Sequence, residues 1–267
     1  MNPVPFPNKV LKVGSTALAM VRQLQGALLA RGYGPFNAGV FDAAMASSIM
    51  LFQSQHADED GHALLVDGEV GRHTWAAIFG AVPVTPVSAP STLMLQGLGI
   101  AGSQVGQMEV PIGSNRGPMV DEYLRVTGVP LGGANADSRA WCMAFVYWSF
   151  RTAATALGAI NPLPKTASVL NHWQLAASVP GARLIRASEA FNAPSLIKPG
   201  LIFILDFGGG LGHTGLVERV MPGGRLATIE GNTNDDGSRS GVGVFRLDRR
   251  KLNDTKLRGF IDYSGAP

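Results

Sequence analysis

Residues Gly212 to Asn232 read GHTGLVERVMPGGRLATIEGN. Two runs rich in apolar and β-branched residues flank Pro222-Gly223-Gly224, a pattern that predicts a β-hairpin. Side chains alternate faces along a strand, so Glu230 and Asn232, two apart, share one face. With Gly223-Gly224 as a two-residue loop, Pro222 pairs with Arg225 and His213 lies opposite Asn234. Asn232 then sits opposite Gly215, on the face of His213 and diagonal to it. A slip of one residue on a single strand would separate them. Just upstream, Leu201–Asp206 predicts another strand, opened by Lys198-Pro199-Gly200 and followed by the glycine run Gly208–Gly210.

Further upstream, Ala140–Phe150 is apolar enough to form a buried helix, with Phe145, Val146 and Trp148 toward the core. Cys142, the single cysteine, falls in its first turn. There the helix dipole and unpaired backbone N–H groups favour a thiolate and can donate to an oxyanion. A lone cysteine in an apolar helix is commonly just a small core residue. The downstream imidazole changes that balance. A thiol, an imidazole and a side chain to orient the imidazole are what cysteine acyl transfer requires. His213 would take the proton, and Glu230 or Asn232 would set its tautomer. The other histidine of this part, His172, follows a proline-containing segment and is the weaker candidate base.

The chain ahead of this region divides at Ala81–Thr92 (AVPVTPVSAPST), an uncharged stretch with three prolines that predicts a semi-rigid linker. Residues 1–80 predict three short helices. Ser15 or Thr16 caps the first, which carries Leu18, Val21, Leu24 and Leu28 on one stripe and ends at Gly32. Asp42 caps the second, with Met45, Ile49 and Phe52, and Trp75, Ile78 and Phe79 belong to the third. In the second part, helices are expected around Leu95–Glu109 and over Met119–Thr127.

Composition removes several classes. Among 267 residues, Lys and Arg number 22 and Asp and Glu 19, a net charge of +3 without a dense basic block, so no nucleic-acid partner is expected. One cysteine excludes an intramolecular disulfide framework and a multi-cysteine zinc site. His56, His62 and His73 match no standard zinc spacing. Met1–Lys12 lacks the apolar core of a secretory signal, and no run of about 18 apolar residues occurs, so cytoplasmic synthesis without membrane insertion is expected.

Two resemblances sharpen these readings. Val21-Arg22-Gln23-Leu24-Gln25, Gly32-Tyr33, Gly39-Val40-Phe41, Phe52-Gln53, Asp67-Gly68-Glu69-Val70-Gly71 and Thr74-Trp75 resemble the small helical peptidoglycan-binding domains. Relative to that pattern His56–Leu65 is an insertion. Trp141-Cys142, Gly212-His213-Thr214-Gly215 and Glu230-Gly231-Asn232 resemble the CHAP domains, cysteine- and histidine-dependent amidohydrolases and peptidases. The second resemblance implies a papain-like α+β domain, with the cysteine helix facing a small antiparallel sheet. It implies Cys142 as nucleophile, His213 as base, and Glu230 and Asn232 as polar partners of the histidine. Some relatives bind calcium before the cysteine; Asn135, Asp137 and Ser138 supply too few oxygens here, so no metal or other cofactor is expected.

The whole is therefore expected to be α+β: residues 1–80 a peptidoglycan-binding domain, 81–92 a linker and 93–267 a cysteine hydrolase. Trp141, Trp173 and His172 are the candidates for the substrate cleft, with core filling the alternative for both tryptophans. Asn234-Asp235-Asp236-Gly237 reads as a turn, Arg249-Arg250-Lys251 as a solvated face, and Glu109, Asp121 and Glu122 as caps or solvated carboxylates rather than a glycosidase pair. The expected activity is hydrolysis of an amide or peptide bond in peptidoglycan, in the periplasm or cell wall, by a monomer. A phage lysis enzyme and an injected effector, the latter with an immunity protein as partner, both fit. An inert wall-binding protein and an amidase of small soluble substrates are the alternatives.

Overall fold

The computed structural model describes residues 4–58, 63–80, 86–131, 140–234 and 241–267. His62, Asn135, Asp137, Ser138, Asp235, Asp236 and Gly237 lie outside them. The chain divides into two compact units, one of residues 1–84 with 221–224, the other of residues 85–220 with 225–267.

The first unit holds α1 (Leu18–Leu29), α2 (Ala43–Gln55) and α3 (Arg72–Phe79). Apolar residues at three- and four-residue intervals place Leu24 and Leu28, Met45, Ile49 and Phe52, and Trp75 and Ile78 in one core. Asp42 caps α2 by accepting from the Met45 N–H. The first helix differs from expectation. Its N-cap is Ala17, and Ser15 instead accepts from the Lys12 N–H.

Two buried glutamines explain why the connecting segments keep their shape. Gln25 Nε2 donates to the Asn37 and Val40 carbonyls, and its Oε1 accepts from the Gly39 N–H. Gln53 Oε1 accepts from Asp67 and Gly68, while Nε2 donates to the Glu69 carbonyl. Each buried amide satisfies backbone groups of these segments that no helix or strand pairs.

The second unit contains α4 (Thr92–Ser103), α5 (Pro118–Thr127), α6 (Cys142–Leu157), α7 (Val169–Ala176), β1 (Arg183–Arg186), α8 (Ala187–Asn192), β2 (Ile202–Gly208), β3 (Leu211–Val220), β4 (Arg225–Thr233), β5 (Gly243–Lys251) and β6 (Leu257–Asp262). The strands form an antiparallel sheet in the order β1-β6-β2-β3-β4-β5. The α6 helix packs on β3 and β4, with α4 and α5 against it. The class is α+β.

The hairpin register departs from the two-residue-loop reading. Val220 pairs with Leu226 around a short 3-10 turn at Pro222–Gly224, and a bulge between Val217 and Arg219 brings Leu216 opposite Ile229. The turn and the bulge each shift the pairing by one residue. Two single shifts together restore the facing, so His213 and Glu230 remain on one side of the sheet.

Residues of the proline-rich stretch are fastened to this second unit. Val87 N–H donates to the Ser195 carbonyl, and Lys198 Nζ reaches Ser88 Oγ at 3.1 Å. Lys198 is only 3% exposed and pairs with Asp262 at 2.8 Å. Burial works against the Asp262 carboxylate, but Lys198 outweighs it and holds its pKa below the usual range. Lys198→Met should therefore cost about 3 kcal/mol, because it strands a buried carboxylate. A lowered carboxyl pKa contributes stability above about pH 4 that is lost as pH falls through the lowered value. Urea denaturation at pH 7 and pH 3 checks both points: the deficit should be present at the first and shrink at the second.

Candidate active site

Cys142 is the first residue of α6 and is 2% exposed. Its position is set by the residues around it. Trp141 is the N-cap, with φ −114° and ψ 10° and no side-chain cap, and its indole turns back into the core against Tyr123 and Phe145. The helix start lies directly on β4. A Cβ at Gly231 would stand 2.8 Å from atoms of both Phe145 and Trp141, so only glycine lets the strand pass beneath them.

On the neighbouring strands His213 and Glu230 are both fully buried, with His213 Nε2 and Glu230 Oε2 2.7 Å apart. Gly215 leaves room for this contact: a Cβ there would stand 2.9 Å from Glu230 Cγ. Thr228 Oγ1 donates to Glu230 Oε1 at 2.7 Å. Arg250 closes the arrangement with Nε to Oε1 at 2.9 Å and Nη2 to Oε2 at 2.6 Å. Its guanidinium lies over the Phe203 ring, 5.8 Å from the centroid. The Arg249-Arg250-Lys251 run is thus not wholly a solvated face. Arg250 is the member of this arrangement that sequence reasoning missed, because its partner becomes visible only when β5 pairs with β4.

Electrostatics distinguish the two histidines. Burial disfavours a charged His213, but the Cys142 side chain and then Glu230 outweigh it, so its pKa is raised. Burial likewise disfavours the Glu230 charge, and His213 and Arg250 outweigh it in turn, lowering that carboxyl's pKa. His172, equally buried, contacts Tyr263 Oη at 3.1 Å; burial lowers its pKa to about 4, only partly offset by the Pro164 carbonyl. His172 is therefore a neutral core group near pH 7.

A cavity of about 260 Å³ opens beside the cysteine. Glu109, Asn115, Cys142, Ser168, Leu211 and Asn232 are among its walls. Trp141, Trp173 and His172, expected at the cleft, are not. Trp141 is fully buried, and Trp173, 8% exposed, packs on β6 beneath Arg258. The start of α7, not its aromatic face, reaches the cavity.

Asn232 also departs from its expected place. It adopts a left-handed backbone, φ 55°, at a register shift between β4 and β5, so the alternation that put it on the face of Glu230 is broken. Its amide donates to Asn115 Oδ1 and the Gly241 carbonyl and accepts from the Trp141 N–H at 3.2 Å. These contacts tie its side chain to the N-cap residue of α6. Among the described residues no group of three or more His, Cys, Asp or Glu side chains is placed to hold a metal.

Glu230 thus holds the His213 imidazole on strands packed against the helix that begins at the Cys142 thiol. Residues 134–232 match the CHAP domain family, and residues 18–78 match the peptidoglycan binding domain family. Together the two matches support a peptidoglycan hydrolase held on the wall. No curated protein and no solved structure matches the chain significantly. No helix among the described residues is long and apolar enough to cross a membrane.

Because Glu230 is one of the groups that outweigh burial, Glu230→Gln should lower the His213 pKa by about two units. A raised histidine pKa contributes stability below about pH 6.5 that is lost as pH rises through the raised value, and the substitution should remove that contribution. NMR titration of the imidazole nitrogens reads the shift; an unchanged His213 pKa would refute the account.

Proposed function

We propose that the protein hydrolyses an amide or peptide bond in the stem peptides of peptidoglycan through a cysteine thioester. In this reading residues 1–80 anchor the chain on the wall, 81–92 link, and 93–267 carry out catalysis as a monomer. Tethering raises the local enzyme concentration on an insoluble substrate. The observation that carries the reading is Cys142 at the first residue of α6, lining a cavity, with the His213–Glu230–Arg250 arrangement behind it.

Glu230 occupies Nε2 of His213, which leaves Nδ1 to exchange a proton with the thiol. The Cys142 sulfur attacks the carbonyl carbon as His213 holds the proton. The oxyanion that forms is stabilised by unpaired backbone N–H groups at the start of α6. The C–N bond then breaks, and His213 gives the proton to the departing amine. Water, deprotonated by His213, attacks the thioester, releases the acid and restores the thiol. Glu230 keeps the imidazolium oriented, and Arg250 positions Glu230. Asn232 acts on the helix start instead of on the histidine.

A phage lysis enzyme and an injected antibacterial effector both fit this chemistry; an adjacent holin gene or immunity gene distinguishes them. Digestion of purified peptidoglycan by wild type, Cys142→Ala and His213→Ala tests the mechanism. Each substitution should reduce fragment release by about a thousandfold or more. Mass analysis of the fragments separates intact stem peptides, made by an amidase, from shortened stems, made by an endopeptidase. Equal release by wild type and Cys142→Ala would leave an inert binding module or another nucleophile as the explanation.

A further inference from the structure

Glu109 is a buried carboxylate that the proposed mechanism does not use. It is 1% exposed, yet it is the only charged side chain among the described residues lining the cavity beside Cys142. Its backbone is fixed, since the Glu109 N–H donates to the Val242 carbonyl at 2.8 Å. Its side chain is held by two neutral donors, Trp141 Nε1 to Oε1 at 2.9 Å and the Asn115 N–H to Oε2 at 3.0 Å. No Lys, Arg or His among the described residues forms an ion pair with it. Glu230, by contrast, has a guanidinium and an imidazole.

A carboxylate oxygen accepts two hydrogen bonds, so each Glu109 oxygen retains a lone pair. Burying a carboxylate without a cation is costly unless a ligand supplies the countercharge. The wall it belongs to is reached from the cavity, so the missing cation can come with the substrate. A lone carboxylate matches a single ammonium group; it is one ligand where a divalent metal needs several.

Resting on the hydrolase reading above, we infer that Glu109 is a specificity-determining residue that binds the charged side-chain amine of a diamino acid in the stem peptide, next to the bond cleaved. The carboxylate is oriented before substrate arrives, because Trp141 and Asn115 already hold it. The same indole belongs to the N-cap residue that precedes Cys142, so amine recognition and the position of the nucleophile share one support.

The test compares native peptidoglycan with peptidoglycan whose free amines have been acetylated, using the full chain. Wild type should digest the native material faster by about tenfold or more, and Glu109→Gln should slow on native material and lose most of that preference. Because Glu109→Gln can disturb the indole and Asn115 contacts, a second measurement avoids it. Calorimetry of the Cys142→Ala chain with a soluble muramyl tripeptide should show tighter binding when the amine is free than when it is acetylated. Equal digestion of both materials by wild type would overturn the assignment. So would a Glu109→Gln protein that is slower on both but keeps the wild-type preference, which would mark a merely structural residue. If Cys142→Ala digests peptidoglycan as fast as wild type, the cysteine-hydrolase reading itself fails, and this assignment beside Cys142 with it.

Discussion

The close approach of α6 to the backbone of β4 is the constraint on which the site depends. Trp141 and Phe145 press on the strand at Gly231, where no side chain would fit. That contact brings the first residue of the helix to the part of the sheet that carries His213 and Glu230. Any Cβ at this crossing would push the helix start away, and the thiol with it. The hydrophobic face of α6 therefore acts as a ruler: burying it against β3 and β4 sets where Cys142 stands.

Behind the thiol, the site is organised around a buried negative charge. Glu230 lies at zero exposure and is viable there because Thr228, His213 and Arg250 complete its hydrogen bonds and balance its charge. The arrangement sits on paired strands, so the imidazole is held by hydrogen bonds and by sheet register together. Nearby, Glu109 has the opposite environment, with neutral donors and no cation from the described chain. One carboxylate is compensated inside the protein, and the other faces a cavity where a ligand can compensate it.

Much of this was legible in local sequence. Asp42 caps α2, the glycine-rich turn joins two strands, and Cys142 opens an apolar helix, all as local rules dictate. Features that depend on longer-range packing were not legible. Arg250 lies in a basic run that resembles a solvated face, and only the neighbour of β5 reveals its role. Asn232 follows Glu230 by two residues, but a left-handed backbone at a bulge turns its amide to the start of α6. The apolar aromatic Trp141 looks suited to a cleft, yet an N-cap geometry sends its ring inward.

By itself the sequence determined the periodicities of helices and strands, the single thiol at a helix start and the two residue sets that resemble known domains. These are local properties, decided by residue type and spacing along one segment. Tertiary structure decided which nitrogen of His213 meets Glu230, that Arg250 joins them, and that Glu109 shares a cavity with Cys142 from more than thirty residues upstream in the chain. The physical reason is that burial and charge compensation are sums over neighbours in space. Strand order, bulges and the angle of a helix on a sheet bring those neighbours together, and none of the three is written in any one segment.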